Sequence, residues 1–271
     1  MREDMMARRD RALVTGASSG IGAAYAALLA RRGYDLVLVA RREARLRALA
    51  ARIEAETGAA TEVLPADLAD GASLRDVEER IATANDINLL VNNAGVGDIS
   101  HFVDATSDAH ERMIQINVVA LTRLCHAAIP GMIGRGGGVI VNIASGFSFD
   151  FIAGAAVYAG SKAYVAQFTQ VLDAELADKG MRFQALIPGL TRTELGGAGD
   201  TAFFDQFPPE MVMSPEDLVA ASLAGLDLGE LVCVPRLPDP ADWARASAAI
   251  RAVGRTPPTN KPAARYGLAE V

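Results

Sequence analysis

The chain has 271 residues, 51% of them hydrophobic, and 26 basic against 33 acidic side chains give a net charge of −7. That size suits one large α/β domain or two small ones with a sizeable core, and the acidic balance argues against a nucleic-acid surface. The two cysteines, Cys125 and Cys233, lie in apolar segments and read as reduced core residues, while His101, His110 and His126 lack metal-ligand spacing, so no metal is expected. The start, MREDMMARRD, is charged without an apolar signal region, and no run of eighteen apolar residues occurs. The expectation is a soluble cytoplasmic protein with no membrane span.

In chain order, a polar arm (1–10) precedes RALVT, a short strand ending at Thr15. GASSGIG and AAYAALLARRG follow as a glycine turn and a helix stopped by Gly33. YDLVLVA (34–40) reads as the second strand, RREARLRALAARIEAETG as an amphipathic helix closed by Gly58, TEVLPADL as the third strand and ASLRDVEERIATA as the third helix. INLLVNNAG is a buried strand breaking into an Asn-Asn turn, and a long helix is expected from about 104 to 129. GGGVIVNIA gives the fifth strand, a helix runs to Gly180, MRFQALIPG gives the sixth strand, and ELVCVP the seventh. Before that last strand, Ser214-Pro215-Glu216 opens a helix with a cap, a proline and an early acid. Such regular alternation implies a doubly wound parallel sheet of about seven strands with helices on both faces. A single domain is expected over 11–254, its last segment PDPADWARASAAIRAVG a short helix, with an irregular tail over 255–271.

Gly16, Gly20 and Gly22 between the first strand and helix would let the backbone approach a pyrophosphate at a helix N-terminus. Gly16-Ala17-Ser18-Ser19-Gly20 also matches the nucleophile elbow of a hydrolase. That elbow needs earlier strands to supply an oxyanion donor, and only fifteen residues precede Gly16.

Tyr158 and Lys162 are four apart at the start of a helix and share one face, with Ser145 thirteen residues before the tyrosine at a strand end. An ammonium near a phenol favours the phenolate; moving a phenol from about 10 to near 7 takes ~4 kcal/mol at about 1.36 kcal/mol per unit. Hydroxyl, phenol and ammonium together make an acid/base catalyst for a carbonyl or an alcohol. By itself the Tyr–Lys pair equally fits an ordinary helix N-terminus. Asn117 falls on the apolar face marked by Met113, Ala120 and Leu124, where a buried amide needs partners; a purely structural amide is the even alternative.

Taken together, TGASSGIG (15–22), NNAG (92–95), Asn117, Ser145, Tyr158-x-x-x-Lys162 and Pro188-Gly189 resemble the short-chain dehydrogenase/reductase family, in its branch of roughly 250 residues, over about residues 11–235. The resemblance implies a Rossmann-type fold and four catalytic residues. Tyr158 would exchange a proton with the substrate oxygen, Ser145 would hold that oxygen, Lys162 would lower the tyrosine pKa and bind the nicotinamide ribose, and Asn117 would position a relay water. It further implies cofactor contacts from Gly16, Ser18, Ser19, Gly20, Ile21 and Gly22, from Asn93, Ala94 and Gly95, from Asp67 and Leu68 beside the adenine, and from Pro188, Gly189, Thr191 and Thr193 beside the nicotinamide. A homodimer or homotetramer, paired through helices 104–129 and 155–180, is implied as well.

The second strand ends in Ala40, where NAD-binding proteins usually carry an acid, and Arg41 and Arg42 follow. An arginine there can grip a 2′-phosphate, with Ser18 adding a hydroxyl, so NADP(H) is the expected cofactor and Arg41 the family's match. Phe147, Phe149 and Phe151 after Ser145, and Phe203, Phe204 and Phe207 in a glycine-rich stretch (190–213) read as a lid, suit an apolar pocket. They equally suit core or interface packing. The expected activity is hydride transfer between nicotinamide and an apolar ketone, aldehyde or secondary alcohol; a non-catalytic dinucleotide-binding regulator is the alternative.

Overall fold

The computed structural model describes residues 9–194 and 202–268; parts of the N-terminal arm, the 190–213 stretch and the C-terminal tail lie outside the described residues. Seven parallel strands form one sheet in the order β3-β2-β1-β4-β5-β6-β7. They are β1 (Arg11–Thr15), β2 (Asp35–Ala40), β3 (Thr61–Pro65), β4 (Ile87–Asn92), β5 (Gly138–Ile143), β6 (Met181–Leu186) and β7 (Val232–Cys233). The apolar runs that pattern as strands buried on both faces are buried on both: Leu13, Val37, Leu90 and Ile140 are all 0% exposed. The order reverses between β1 and β4, so a crevice opens there at the carboxyl ends of the strands.

The helices are α1 (Gly20–Arg31), α2 (Glu43–Thr57), α3 (Gly71–Ala84), α4 (Ser107–Ile114), α5 (Leu121–Gly134), α6 (Ala156–Leu176) and α7 (Pro215–Leu228). Their ends follow local chemistry. Asp70 caps α3 by accepting from Ala72 N and Ser73 N, Thr106 caps α4, and Ser214 caps α7 ahead of Pro215. Gly58 and Gly229 close α2 and α7 in the left-handed region, and Gly180 closes the 3₁₀ turn that follows α6.

Two expectations need correction. The long helix at 104–129 is two α-helices joined by a π-helical segment, Gln115–Ala120, and it runs on to Gly134 because Pro130 removes one internal hydrogen bond without ending it. β7 is two residues long, since only Val232 and Cys233 pair with β6. The compact unit that carries the sheet ends at Pro235. Arg236–Val271 forms a second unit, in which α8 (Pro240–Gly254) is capped by Asp239 accepting from Ala241 N and is followed by a 3₁₀ turn at Ala264–Tyr266.

Buried polar side chains in the first unit pair with one another. Asn92 Nδ2 donates to Asn142 Oδ1 (2.9 Å) and to Cys125 Sγ (3.2 Å), and Asn142 Nδ2 donates to Thr169 Oγ1 (3.0 Å), tying β4, β5, α5 and α6 below the crevice. Burial pushes the Cys125 thiol up to about 12, so it stays protonated and unreactive, as its apolar setting suggested.

Candidate active site

The crevice is built first from the turn after β1. Gly16 and Gly20 adopt φ of +65° and +54°, which favour glycine. Gly22 has ordinary backbone, but a β-carbon there would lie 2.5 Å from Asn93 Nδ2 and closer still to the Gly16 carbonyl. Thr15 latches this turn to the one after β4: its Oγ1 accepts from Asn93 N (3.0 Å) and Ala94 N (2.9 Å), while Asn93 Nδ2 donates to Thr15 O (2.8 Å). Ser19 begins α1 without capping it by its side chain. The first N–H groups of α1 therefore face the crevice without a side-chain cap, as a pyrophosphate requires, and a cradle that β-carbons would fill fits a dinucleotide. Gly22→Ala is expected to destabilise the fold by about 1–3 kcal/mol and to abolish dinucleotide binding. Thermal unfolding and a binding titration check this; a parent-like melting temperature would contradict the tight contact.

At the outer end of the turn the two arginines take different positions. Arg42, not Arg41, covers the glycine turn: Nε and Nη2 donate to Ser18 Oγ (3.1 and 3.0 Å), and Nη2 donates to Ser19 Oγ (2.7 Å). Arg42 sits at the N-cap of α2 with non-helical backbone, which turns its side chain back over the loop, whereas Arg41 is exposed and acts on Asp67 only through its field. Arg42 also pairs with Glu194 at 2.6 Å, as does Arg45 at 2.9 Å. Asp67 meets Arg112 at 2.9 Å; burial works against its charge, but the Ala69 amide and Arg112 hold it below the usual carboxylate range. Leu68 is buried beneath.

The acid/base groups lie at the adjoining strand ends. Ser145 follows β5 and starts a 3₁₀ turn, Gly146–Ser148, in a capping box whose Ser148 hydroxyl also donates to Lys162 O (2.9 Å). The turn is thereby held against α6, whose inward face carries Tyr158, Ser161, Lys162, Val165 and Thr169. Ser145, Tyr158 and Lys162 are 7%, 8% and 5% exposed. Lys162 Nζ donates to Ile143 O at 2.7 Å and lies 5.9 Å from the centre of the Tyr158 ring. Burial lowers the Lys162 pKa to about 8. Burial raises the Tyr158 pKa, opposed by a hydrogen bond with Ser145. Desolvation dominates the shift of the phenol, and the Lys162 ammonium makes its hydrogen bond to the Ile143 carbonyl. A protonated phenol is the form that gives a proton to a carbonyl.

Asn117 lies in the π-helical segment and is 1% exposed. Its Oδ1 accepts from Val96 N (2.9 Å), and Nδ2 donates to Val96 O (2.9 Å) and Ser161 Oγ (3.0 Å). Both amide hydrogens are thus taken by protein groups, so the side chain fastens the strap after β4 to α6. A β-carbon on Gly95 would lie 3.3 Å from Asn117 Oδ1 and 3.4 Å from Lys162 Nζ, so these atoms border one gap.

The segment after β6 returns over this crevice. Gly146 N donates to Pro188 O (3.0 Å), Thr191 Oγ1 donates to Gly189 O, and Thr191 bridges to Met213. Thr193 packs on Gly20, its Cγ2 3.3 Å from where a β-carbon would stand. Phe147 meets Tyr158 edge-on at 5.6 Å, but Phe151 is fully exposed and Phe149 is 41% exposed. Phe203, Phe204 and Phe207 pack mainly on one another, with Phe204 buried. A small cavity beside Tyr158 is lined by Asp98, Ser100, Phe102, His110, Met113, Gly154, Ala156 and Val157, with Phe102 stacked on His110 at 4.8 Å.

Residues 10–201 match the family model described as short chain dehydrogenase. The chain belongs to the short-chain dehydrogenase family. A solved short-chain dehydrogenase from Sphingobium yanoikuyae in complex with NADPH is 42% identical, with a TM-score of 0.88 over 95% of this chain and 100% of that one. A bulky-bulky ketone specific alcohol dehydrogenase from Comamonas testosteroni is 37% identical, with a TM-score of 0.87 over 95% and 98% of the two chains. The inactive hydroxysteroid dehydrogenase-like protein 1 of Homo sapiens is 34% identical over 72% of this chain and 60% of that one. The sheet order of this short-chain dehydrogenase explains why motifs far apart in sequence meet in one crevice: the glycine turn, the Asn-Asn turn, Ser145 and Pro188-Gly189 follow the carboxyl ends of β1, β4, β5 and β6, and Asn117, Tyr158 and Lys162 join them from helices. Arg45, Phe102 and Glu194 were not singled out from the sequence, and Thr15 and His110 were named there without these contacts. Thr15 alone had a local signal, as the last residue of its strand beside the glycine turn.

Proposed function

We propose that this short-chain dehydrogenase is an NADP(H)-dependent oxidoreductase interconverting a bulky apolar ketone and its secondary alcohol. The observation that carries the reading is the meeting of Tyr158, Ser145 and Lys162 beside a glycine cradle whose outer rim is Arg42 and Ser18. The NADPH held by the Sphingobium yanoikuyae protein and the bulky-ketone specificity of the Comamonas testosteroni protein support it.

The backbone around Gly16, Gly20 and Gly22 would hold the pyrophosphate, Arg42 and Ser18 the 2′-phosphate, Asp67 and Leu68 the adenine end. Lys162 and the 93–95 turn would hold the nicotinamide riboside, and Pro188 to Thr193 its amide. When bound, the nicotinamide supplies or accepts the hydride. The chain's own residues handle the oxygen and the proton. Ser145 holds the substrate oxygen against Tyr158, which donates its phenolic proton in reduction and takes one back in oxidation. Lys162 provides positive charge behind the phenol, and the gap it shares with Asn117 Oδ1 is where a water would pass protons onward. Phe102, Phe147, Met113 and Val157 offer apolar surface to the substituents of the carbonyl. Pairing of subunits falls on α6, where Tyr164 and Val171 are exposed and Tyr164 stacks on Phe168 at 5.4 Å.

The non-catalytic alternative draws on the inactive human relative, but a sensor needs none of Asn117, Ser145, Tyr158 and Lys162, all present here. Arg42 decides the cofactor. Arg42→Gln is expected to lower kcat/KM with NADPH by about 10–100-fold, the loss of a charge-assisted phosphate contact, while the value with NADH stays within a few-fold. Equal use of both cofactors by the unaltered protein would remove Arg42 as the clamp.

A further inference from the structure

Arg42, which also reaches Ser18 and Ser19, and Arg45 converge at the rim of the glycine cradle on a carboxylate of the same chain. Glu194 Oε2 is 2.6 Å from Arg42 Nη1, and both its oxygens are 2.9 Å from Arg45 Nη1. Its side chain is 24% exposed, less than either arginine at 40% and 49%. The carboxylate arrives from across the crevice, 152 residues further along the chain, on the stretch that holds Thr193 against Gly20. Two guanidiniums grip the oxyanion, one of them braced by the Ser18 and Ser19 hydroxyls, and paired guanidiniums are the donors that a phosphate monoester takes.

We propose that Glu194 is a specificity-determining residue: it holds the seat of the cofactor's 2′-phosphate and must give up its arginines when NADP(H) binds. The inference rests on the NADP(H) reading above. A dianionic phosphate cannot share Arg42 with a carboxylate at contact distance without repulsion, so Glu194 weakens NADP(H) binding. NADH brings a 2′-hydroxyl instead, which can donate to that carboxylate, so Glu194 does not oppose it. The carboxylate thus tempers a preference that Arg42 and Ser18 create.

The test is direct binding, followed by the fluorescence of NADPH and of NADH, in the unaltered protein and in Glu194→Gln, Glu194→Ala and Arg42→Gln. Adenosine 2′,5′-bisphosphate against adenosine 5′-phosphate, titrated as competitors, isolates the phosphate end. Both Glu194 variants are expected to bind NADPH and the bisphosphate about fivefold tighter, the upper range for a partly exposed ion pair, with NADH unchanged or weaker. Weaker or unchanged NADPH binding in both variants overturns the proposal. If Arg42→Gln then still loses NADPH selectively, only the role of Glu194 falls. If the unaltered protein and Arg42→Gln both bind NADPH and NADH alike, the NADP(H) reading falls and takes this proposal with it.

Discussion

Tyr158→Phe is expected to lower turnover by about 10²–10⁴-fold, the range for losing a positioned general acid, while dinucleotide affinity stays within about twofold. The change removes one oxygen and keeps the ring. The ring is 8% exposed and packs edge-on against Phe147, so its place in α6 does not depend on the hydroxyl. The hydroxyl's partner is Ser145, held by the capping box and by the turn's bond to Lys162 O, and it keeps its own position. A fall in turnover with unaltered NADPH binding separates chemistry from cofactor capture. Parent-like turnover would mean that another group supplies the proton.

Lys162→Met should move activity and stability in opposite directions. The ammonium is 5% exposed, and burial brings its pKa from 10.5 to about 8. The unfolded chain therefore holds a proton that the folded chain releases between about pH 8 and 10.5. Stability rises with pH across that window, and below it the penalty is present in full. A shift of this size corresponds to roughly 3 kcal/mol, partly offset by the bond from Nζ to Ile143 O. A methionine of similar length removes the charge, so the variant is expected to be more stable at pH 7 by about 1–2 kcal/mol. That margin narrows as pH approaches 10. Turnover should be lost together with affinity for the nicotinamide riboside. Thermal unfolding at pH 7 and pH 10 checks the claim; a variant less stable than the parent at pH 7 would show that the lysine stabilises its site.

The parallel sheet was legible because its signals are local. Apolar runs of strand length alternate with capped, glycine-stopped helices, and the glycine and Asn-Asn motifs sit where a strand gives way to a loop. The candidate catalytic residues were legible from equally local signals, since Tyr158 and Lys162 face inward from one helix turn and Ser145 follows a strand. What the sequence did not disclose depends on tertiary packing. The π-helical segment at Gln115–Ala120 keeps helical composition throughout, and Asn117 is defined by its bonds to Val96 and Ser161 rather than by its neighbours in the chain. Arg41 and Arg42 differ in no local property that reveals which one turns toward Ser18. The backbone at the start of α2 decides it. Glu194 meets those arginines only through the return of the chain across the crevice. The small cavity beside Tyr158 draws Phe102 and His110 from the segment after β4, a meeting that depends on tertiary packing and has no local signal in the chain.

The central claim is reduction of a bulky apolar carbonyl with NADPH at the Tyr158 site. It is tested most directly by following NADPH absorbance with a panel of ketones graded from small and charged to large and apolar on both sides of the carbonyl. The account predicts NADPH oxidation matched by equal formation of secondary alcohol, with kcat/KM rising toward the large apolar ketones. Rates highest on small hydroxy ketones or sugars would contradict the pocket, and no turnover of any ketone by a protein that binds NADPH would contradict the enzyme itself.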